Sequence, residues 1–263
     1  MDKVLIKPDK AIKVSQDVLN VLDNATGTPT SEMIDLVKDK DFNLAYLRDE
    51  FGHLISGLSF SLDNRIFIGI TPSPIDIYFG IAYTFLVKNN RILEEIKKQK
   101  EDPNLQCVLL ADNKFNSFLQ YRISCIIMLH STLEAFINSI VPDTSYSYPK
   151  VVKEHGQKIT KHLSKEEVER LNFSEKFKDV VKHITQLDFA TTNQNLYISI
   201  NKLNNLRCDL IHLKTMKDGK KENHIQVYVQ IIKADLDKYT ADVKAYINTI
   251  RPGTIQFTNK ELS

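Results

Sequence analysis

Between Phe115 and Val141 apolar residues recur at helical spacing over the longest uninterrupted run in the chain, and Pro142 stops it. Phe115, Leu119, Ile123, Ile126, Leu133, Ile137 and Ile140 fall on one face of that helix. An apolar stripe of this length has to be covered by other elements, and the next strongest patterns are also helical. Ile75 to Lys100 reads as a helix, apolar at first and then charged through RILEEIKKQKED, a solvated end. Helices are also expected at 193–214 and from Asp235 to Arg251. The fold class is therefore mainly α, a helical bundle.

The remaining stretches read less simply. Helices are expected at 10–25, 31–38 and 43–52. LSFSLDNRIFIGI (58–70) alternates on both sides of Asp63-Asn64, a β-hairpin pattern. HIQVYVQII (224–232) alternates through Ile225, Val227, Val229 and Ile231 and is expected as a strand, with the 58–70 hairpin as its candidate partner. Residues 143–163 are polar, contain Gly156 and read as a loop with room for a short helix. Ser164 with Glu167 forms a capping box, and Ser174 is expected to cap a helix over 175–187. Pro72 and Pro74 mark a boundary, giving an N-terminal helical segment with a β-hairpin (1–72) and a helical domain (73–263).

Composition excludes some function classes. Hydrophobic residues make up 42% and charged residues 26%, an ordinary globular balance. The net charge is only +2, so any surface for nucleic acid must be a local patch. The three cysteines form no CxxC and read as free thiols. The N-terminus lacks the apolar core of a signal peptide, and the run Ile77 to Val87 is too short to span a bilayer. A cytoplasmic protein without membrane attachment is expected. No GxGxxG, Walker, HExxH, GxSxG or EF-hand pattern occurs, and His155 and His162 read as surface histidines. No cofactor and no metal site are expected.

The stretch most like chemistry is NNLRCDLIHLK, Asn204 to Lys214, where Arg207 precedes His212 by five residues. On a helical wheel Leu196, Ile200, Leu203 and Leu210 centre the apolar face, and Arg207 lies within it. His212 falls on the polar face with Asn201, Asn205 and Asp209, roughly 140° away. An arginine in an apolar stripe needs a partner. His130, Glu134 and Asn138, spaced i, i+4, i+8 on the 115–141 helix, form a polar ridge, and Glu134 is the candidate counterion. On that reading Arg207–Glu134 is a core clamp, His212 a surface histidine, His130 a hydrogen-bonded histidine beside the core, and Arg122 structural. On the other reading the same groups are catalytic. A histidine can take a proton from a ribose 2′-hydroxyl or return one to the leaving oxygen, and a guanidinium can stabilise the phosphorane. Such chemistry needs a ribose, hence RNA.

LRCDLIHLK matches the R-x(4–6)-H motif of the HEPN superfamily, and MLHSTLEAFINSIVP is similar to the earlier core helix of HEPN-like proteins. The chain resembles that superfamily over roughly 75–250. The resemblance implies an all-helical fold and a metal-independent endoribonuclease of a bacterial defence or toxin–antitoxin system, acting as a homodimer with two motifs around one cleft. An antitoxin or another defence-system protein is then an expected partner. Arg207 and His212 would be the catalytic pair, with Glu134, Asn138, Asn205 and Asp209 orienting them. The residue after the arginine, commonly Asn, Asp or His in the family, is Cys208 here. That departure is the ground for an alternative, a non-catalytic HEPN-like module binding a partner protein or nucleotide. A plain structural or regulatory helical protein is the third reading.

Overall fold

The structure is a computed structural model of the chain. It describes residues 3–5, 38–39, 44–48, 54–62, 65–98, 109–142, 146–154, 156–211 and 222–258. The chain divides into two compact units, Met1–Lys7 with Pro74–Ser263, and Pro8–Ser73. In chain order the elements are β1 (Lys3–Leu5), β2 (Lys38–Asp39), β3 (Leu44–Arg48), β4 (Leu54–Leu62), β5 (Arg65–Ile70), α1 (Pro74–Lys98) and α2 (Asp112–Ile140). Then come β6 (Tyr148–Glu154), β7 (Gln157–Leu163), α3 (Lys165–Glu169) and α4 (Phe173–Glu175), which runs through a π-helical turn (Lys176–Val180) into α5 (Val181–Thr185). The chain closes with α6 (Phe189–Thr192), α7 (Gln194–Ile211), α8 (Glu222–Lys233), α9 (Leu236–Ile250) and β8 (Gln256–Thr258). The protein is mainly helical, as the periodicity indicates, with small antiparallel sheets.

In the smaller unit β2–β3–β4–β5 form an antiparallel sheet. The β4–β5 hairpin expected from 58–70 is present, with Leu62 opposite Arg65 across Asp63-Asn64. The helix expected over 43–52 is replaced by strand β3, paired with β4 from Leu44–Leu58 to Arg48–Leu54. Five residues are too few to separate a period of 3.6 from a period of 2, and the neighbouring strand decides. The helix expected at 10–25 lies outside the described residues, as does most of 31–38.

In the larger unit α2 is the central element. It packs along α1 and also meets α7, α8 and α9. By length and composition α2 is apolar enough to cross a membrane. Its apolar face is taken up by packing instead: Cys125, Ile126, Leu129, Leu133, Phe136 and Ile137 are completely buried. They meet Phe79 and Ala82 of α1, Ile200 and Leu203 of α7, and Val243, Tyr246 and Ile247 of α9. α9 starts where expected, with the Asp235 carboxylate accepting from the Lys238 amide. The capping box of Ser164 and Glu167 opens α3.

Three expectations fail here. Within the loop expected over 143–163, Tyr148–Glu154 and Gln157–Leu163 pair instead as a hairpin. It turns at Gly156, whose φ of +81° lies in the left-handed region open to glycine. Its β-branched residues Val151, Val152, Ile159 and Thr160 suit a strand, but the lysines between them conceal the pattern. Residues 224–232 form helix α8, not a strand. In a strand Ile225, Val227, Val229 and Ile231 would share a face; in α8 Ile231 is buried and Val227 packs on the core, while Ile225 and Val229 stay exposed. Ser174 is not the cap of its helix. Asn172 is, accepting from the Glu175 amide at 2.9 Å.

Arg122 is structural. Its Nε donates to the Ile231 carbonyl at 2.7 Å, one Nη to Asn89 Oδ1 at 3.2 Å, and the other to the Ala234 carbonyl. Two of these acceptors are carbonyls at the C-terminal end of α8, where intrahelical donors run out. One buried guanidinium thus fixes α8 on α2 and α1, with Phe118 stacked 5.2 Å from it. Arg122→Ala takes a donor from each of these acceptors, of which the Ile231 carbonyl keeps the Ala234 amide, and is expected to lower stability by about 3 kcal/mol. That corresponds to a melting temperature lower by roughly 6–12 °C, readable by calorimetry; an unchanged midpoint would contradict the role.

Candidate functional site

A cluster of polar side chains lies where α2, α7 and the π-helical turn meet. His130, one turn before Glu134 on α2, is buried, and its Nε2–H donates to Asn204 Oδ1 of α7 at 3.0 Å. The Asn204 amide in turn reaches Ser174 Oγ at 3.5 Å. Phe173 lies against the imidazole, ring centroids 4.5 Å apart. The other imidazole nitrogen, Nδ1, is buried without a hydrogen bond and sits 3.9 Å from Glu134 Oε2. Burial pushes the His130 pKa down, the Asn204 hydrogen bond opposes this, and the positive charge of Arg207 adds to it. The imidazole is therefore neutral, and its approach to Glu134 is not an ion pair.

The charge that holds Glu134 belongs to Lys176. Its side chain is 1% exposed, and its ammonium donates to Glu134 Oε1 at 3.2 Å, Asn138 Oδ1 at 3.0 Å and the Glu169 carbonyl at 3.1 Å. Three donors meet three acceptors, the condition under which a buried ammonium is tolerable. A groove of about 420 Å³ reaches this cluster from solvent, lined by Tyr78, Ser131, Glu134, Asn138 and Glu169 among others.

The expected site residues divide accordingly. The Arg207–Glu134 clamp does not form: Glu134 is taken by Lys176. Glu134 and Asn138 hold the lysine and do not orient Arg207. Arg207 is half-buried between the buried residues Leu206, Leu203 and Leu210, and among the described residues it has no hydrogen-bond or ion-pair partner. Asn205 and Asp209 are exposed, on the side of α7 away from the core. Cys208 is half-buried, its thiol 3.9 Å from Asn204 Oδ1. His212 lies outside the described residues. Among the described residues no three His, Cys, Asp or Glu side chains converge as a metal site.

Two members of the cluster, Lys176 and Asn204, escape the sequence reading, and one sequence signal exists for the first. Phe173, Phe177, Val180 and Val181 form an inward stripe, and Lys176 sits at i+3 within it. A lysine in an apolar stripe needs a buried acceptor, just as an arginine does. The Asn204 contact has no local signal, since His130 is 74 residues away.

Comparison with known proteins finds no matching family model, curated protein or solved structure.

Two expectations follow. Lys176→Met leaves Glu134, Asn138 and a carbonyl without their donor and should lower stability by about 2–3 kcal/mol, a figure reduced because Glu134 is partly solvated. Arg207→Ala, which breaks no such network, should stay within about 0.5–1 kcal/mol. Denaturant titration separates the two, and equal losses would mean Arg207 belongs to the buried network.

The second concerns pH. The folded His130 pKa lies below its ordinary 6.5, so the unfolded chain binds a proton that the folded chain refuses. The stability is complete above 6.5 and is lost as pH falls below that value toward the folded pKa. Asp76, pushed up to about 6 by burial, works in the opposite sense. The difference between wild type and His130→Gln isolates the histidine: wild-type stability should fall more steeply on acidification. Parallel profiles would refute the shift.

Proposed function

We propose that the protein is a metal-independent endoribonuclease of a bacterial defence or toxin system, with Arg207 and His212 as its working pair. The observation that carries this reading is the guanidinium of Arg207, which has no hydrogen-bond or ion-pair partner among the described residues. Arg207 is half-buried beside a polar network, yet the one carboxylate of that network is already neutralised by Lys176. A partly desolvated cation without a counterion favours an external anion, and a phosphodiester suits the guanidinium fork. The resemblance of LRCDLIHLK to the HEPN motif supplies the second group, His212, five residues further on.

In the proposed reaction the 2′-hydroxyl loses its proton to an imidazole and attacks the adjacent phosphorus. The bond to the 5′-oxygen breaks, and that oxygen leaves with a proton from an imidazolium. The products are a 2′,3′-cyclic phosphate and a 5′-hydroxyl, and Arg207 stabilises the negative charge gathered on the phosphorane oxygens. One histidine per chain cannot be base and acid in a single in-line step, so the reading includes a homodimer whose second copy supplies the other. RNA is the substrate, and an antitoxin or other defence protein is the expected regulator.

A second reading, a non-catalytic module that binds a nucleotide or partner protein, is favoured by one observation. Glu134 and Asn138 are occupied by Lys176 and do not serve Arg207. The same guanidinium would then bind phosphate without turnover.

The readings separate in a cleavage assay of a mixed RNA pool in EDTA. The wild type should leave cyclic-phosphate ends, and Arg207→Ala and His212→Ala should each lose at least ~100-fold in rate. Folded, dimeric wild type that leaves the pool intact would point to the binding module. Cleavage persisting in both variants would place the chemistry elsewhere.

A further inference from the structure

The β6–β7 hairpin carries a local excess of positive charge. From Tyr148 to Leu163 the sequence holds four lysines against one glutamate, a net charge of +3 with histidine neutral, whereas the whole chain carries +2. The remainder is therefore slightly acidic.

The register sets these lysines against one another. Lys150 lies opposite Lys161, and Lys153 opposite Lys158. Like charges directly opposed disfavour strand pairing. The first pair is neutralised locally, since Lys150 Nζ lies 2.7 Å from Glu175 Oε1 and Lys161 pairs with Glu154. The second is not: Lys153 and Lys158 are exposed and have no ion-pair partner among the described residues. Strand alternation puts them on one face with Val151, Thr160, Pro149 and His162.

The ribbon is also built as an arm. It has two strands only. Its base is fixed by Tyr148, buried in a small core with Val141, Val168 and Val180. Further out the burial ends, and Val151 is 64% exposed. A two-stranded hairpin is marginal by itself, and two opposed ammonium groups weaken it further. An anion lying across both would relieve that repulsion.

We infer that the β6–β7 ribbon is a nucleic-acid-binding arm that lays Lys153 and Lys158 against the phosphodiester backbone of RNA. The choice of RNA among polyanions rests on the reading above. A bilayer surface fits less well, because the strand ends at the turn, Glu154 and Gln157, are polar and the described outer ribbon carries no aromatic residue. Lysine is a point charge on a flexible stem, so the arm contributes affinity without reading sequence.

The test is fluorescence anisotropy of the full chain on a 2′-O-methyl RNA of about 20 nucleotides, which keeps the phosphates but lacks the attacking hydroxyl, between about 50 and 200 mM salt. Lys153→Gln with Lys158→Gln should bind roughly tenfold more weakly at the low-salt end, with a log–log salt slope shallower by about 1.4. Its melting temperature should equal or exceed that of the wild type, since the repulsion is gone. Lys153→Arg with Lys158→Arg keeps the charges and should bind as the wild type does. Absence of wild-type binding, an unchanged slope in the Gln pair, or an Arg pair as weak as the Gln pair would overturn the arm. So would a loss seen only on phosphatidylserine vesicles, which would assign the lysines to a membrane. Wild type that fails to cleave unmodified RNA yet shows the slope change would sink the nuclease reading and leave the arm standing; cleavage with an unchanged slope would do the reverse.

Discussion

A single buried ammonium organises the polar side of the core. Lys176 enters between α2 and α3 at a position that would otherwise be apolar, and it is held by Glu134, Asn138 and the Glu169 carbonyl. Removing an ammonium from water costs several kcal/mol unless each of its donors is met. The site therefore constrains three separate pieces of chain: the last two turns of α2, the end of α3 and the start of the π-helical turn. A π turn departs from the ordinary i→i+4 ladder, and such departures persist where a specific side-chain placement compensates for them. Here the compensating placement is that of Lys176 itself.

That choice of partner propagates to α7. Because Glu134 belongs to Lys176, it is not available to Arg207, and burial, aided by the positive charges of Arg207 and Lys176, pushes the His130 pKa down. The neutral imidazole then holds Asn204 by its Nε2–H, which fixes α7 three residues before Arg207. Among the described residues the guanidinium has no ion pair of its own, and hydrogen bonds of its neighbour Asn204 hold this part of α7. On the proposed reading such a cation receives an anion from outside, which an internal clamp would prevent. Arg122 contrasts with it: each nitrogen of that guanidinium has an acceptor, two carbonyls and an amide oxygen, and the group holds α8.

The parts of the fold legible in the sequence are those in which one period dominates a long segment. The apolar stripe of 115–141, the helices near 75–98 and 194–211, and Asp235 opening the last helix all have this character, as does the alternation about Asp63-Asn64. The failures are short or ambiguous. Val227 and Ile231 satisfy an alternating pattern and a helical i, i+4 pattern equally, and only the core behind α8 selects the helix. The β6–β7 strands carry lysines on both faces, so no apolar alternation marks them. For the site, local pattern identified the ridge His130, Glu134 and Asn138 and the arginine in an apolar stripe, but it paired them wrongly. Two cations competed for one carboxylate; the winner, 42 residues from Glu134 in sequence, was set by the packing of α3 and the π turn against α2.

The orientation of α7 bears on how a phosphodiester would be met. Arg207 sits at the edge of the buried face, while Asn205 and Asp209 point to solvent. A residue five positions after Arg207 is turned roughly 140° from it along an ideal helix. On the proposed reading, with that geometry carried on to His212, one copy of the motif would not gather guanidinium and imidazole on one side of a substrate. An in-line displacement does not ask it to, because the attacking and leaving oxygens lie on opposite sides of the phosphorus, and charge accumulates on the oxygens between them. In the proposed homodimer, two antiparallel copies of the motif would present an imidazole at either end of that axis and a guanidinium from each side near its middle. On the proposed reading such a divergence, an obstacle for a monomer, would suit a two-fold pair of motifs.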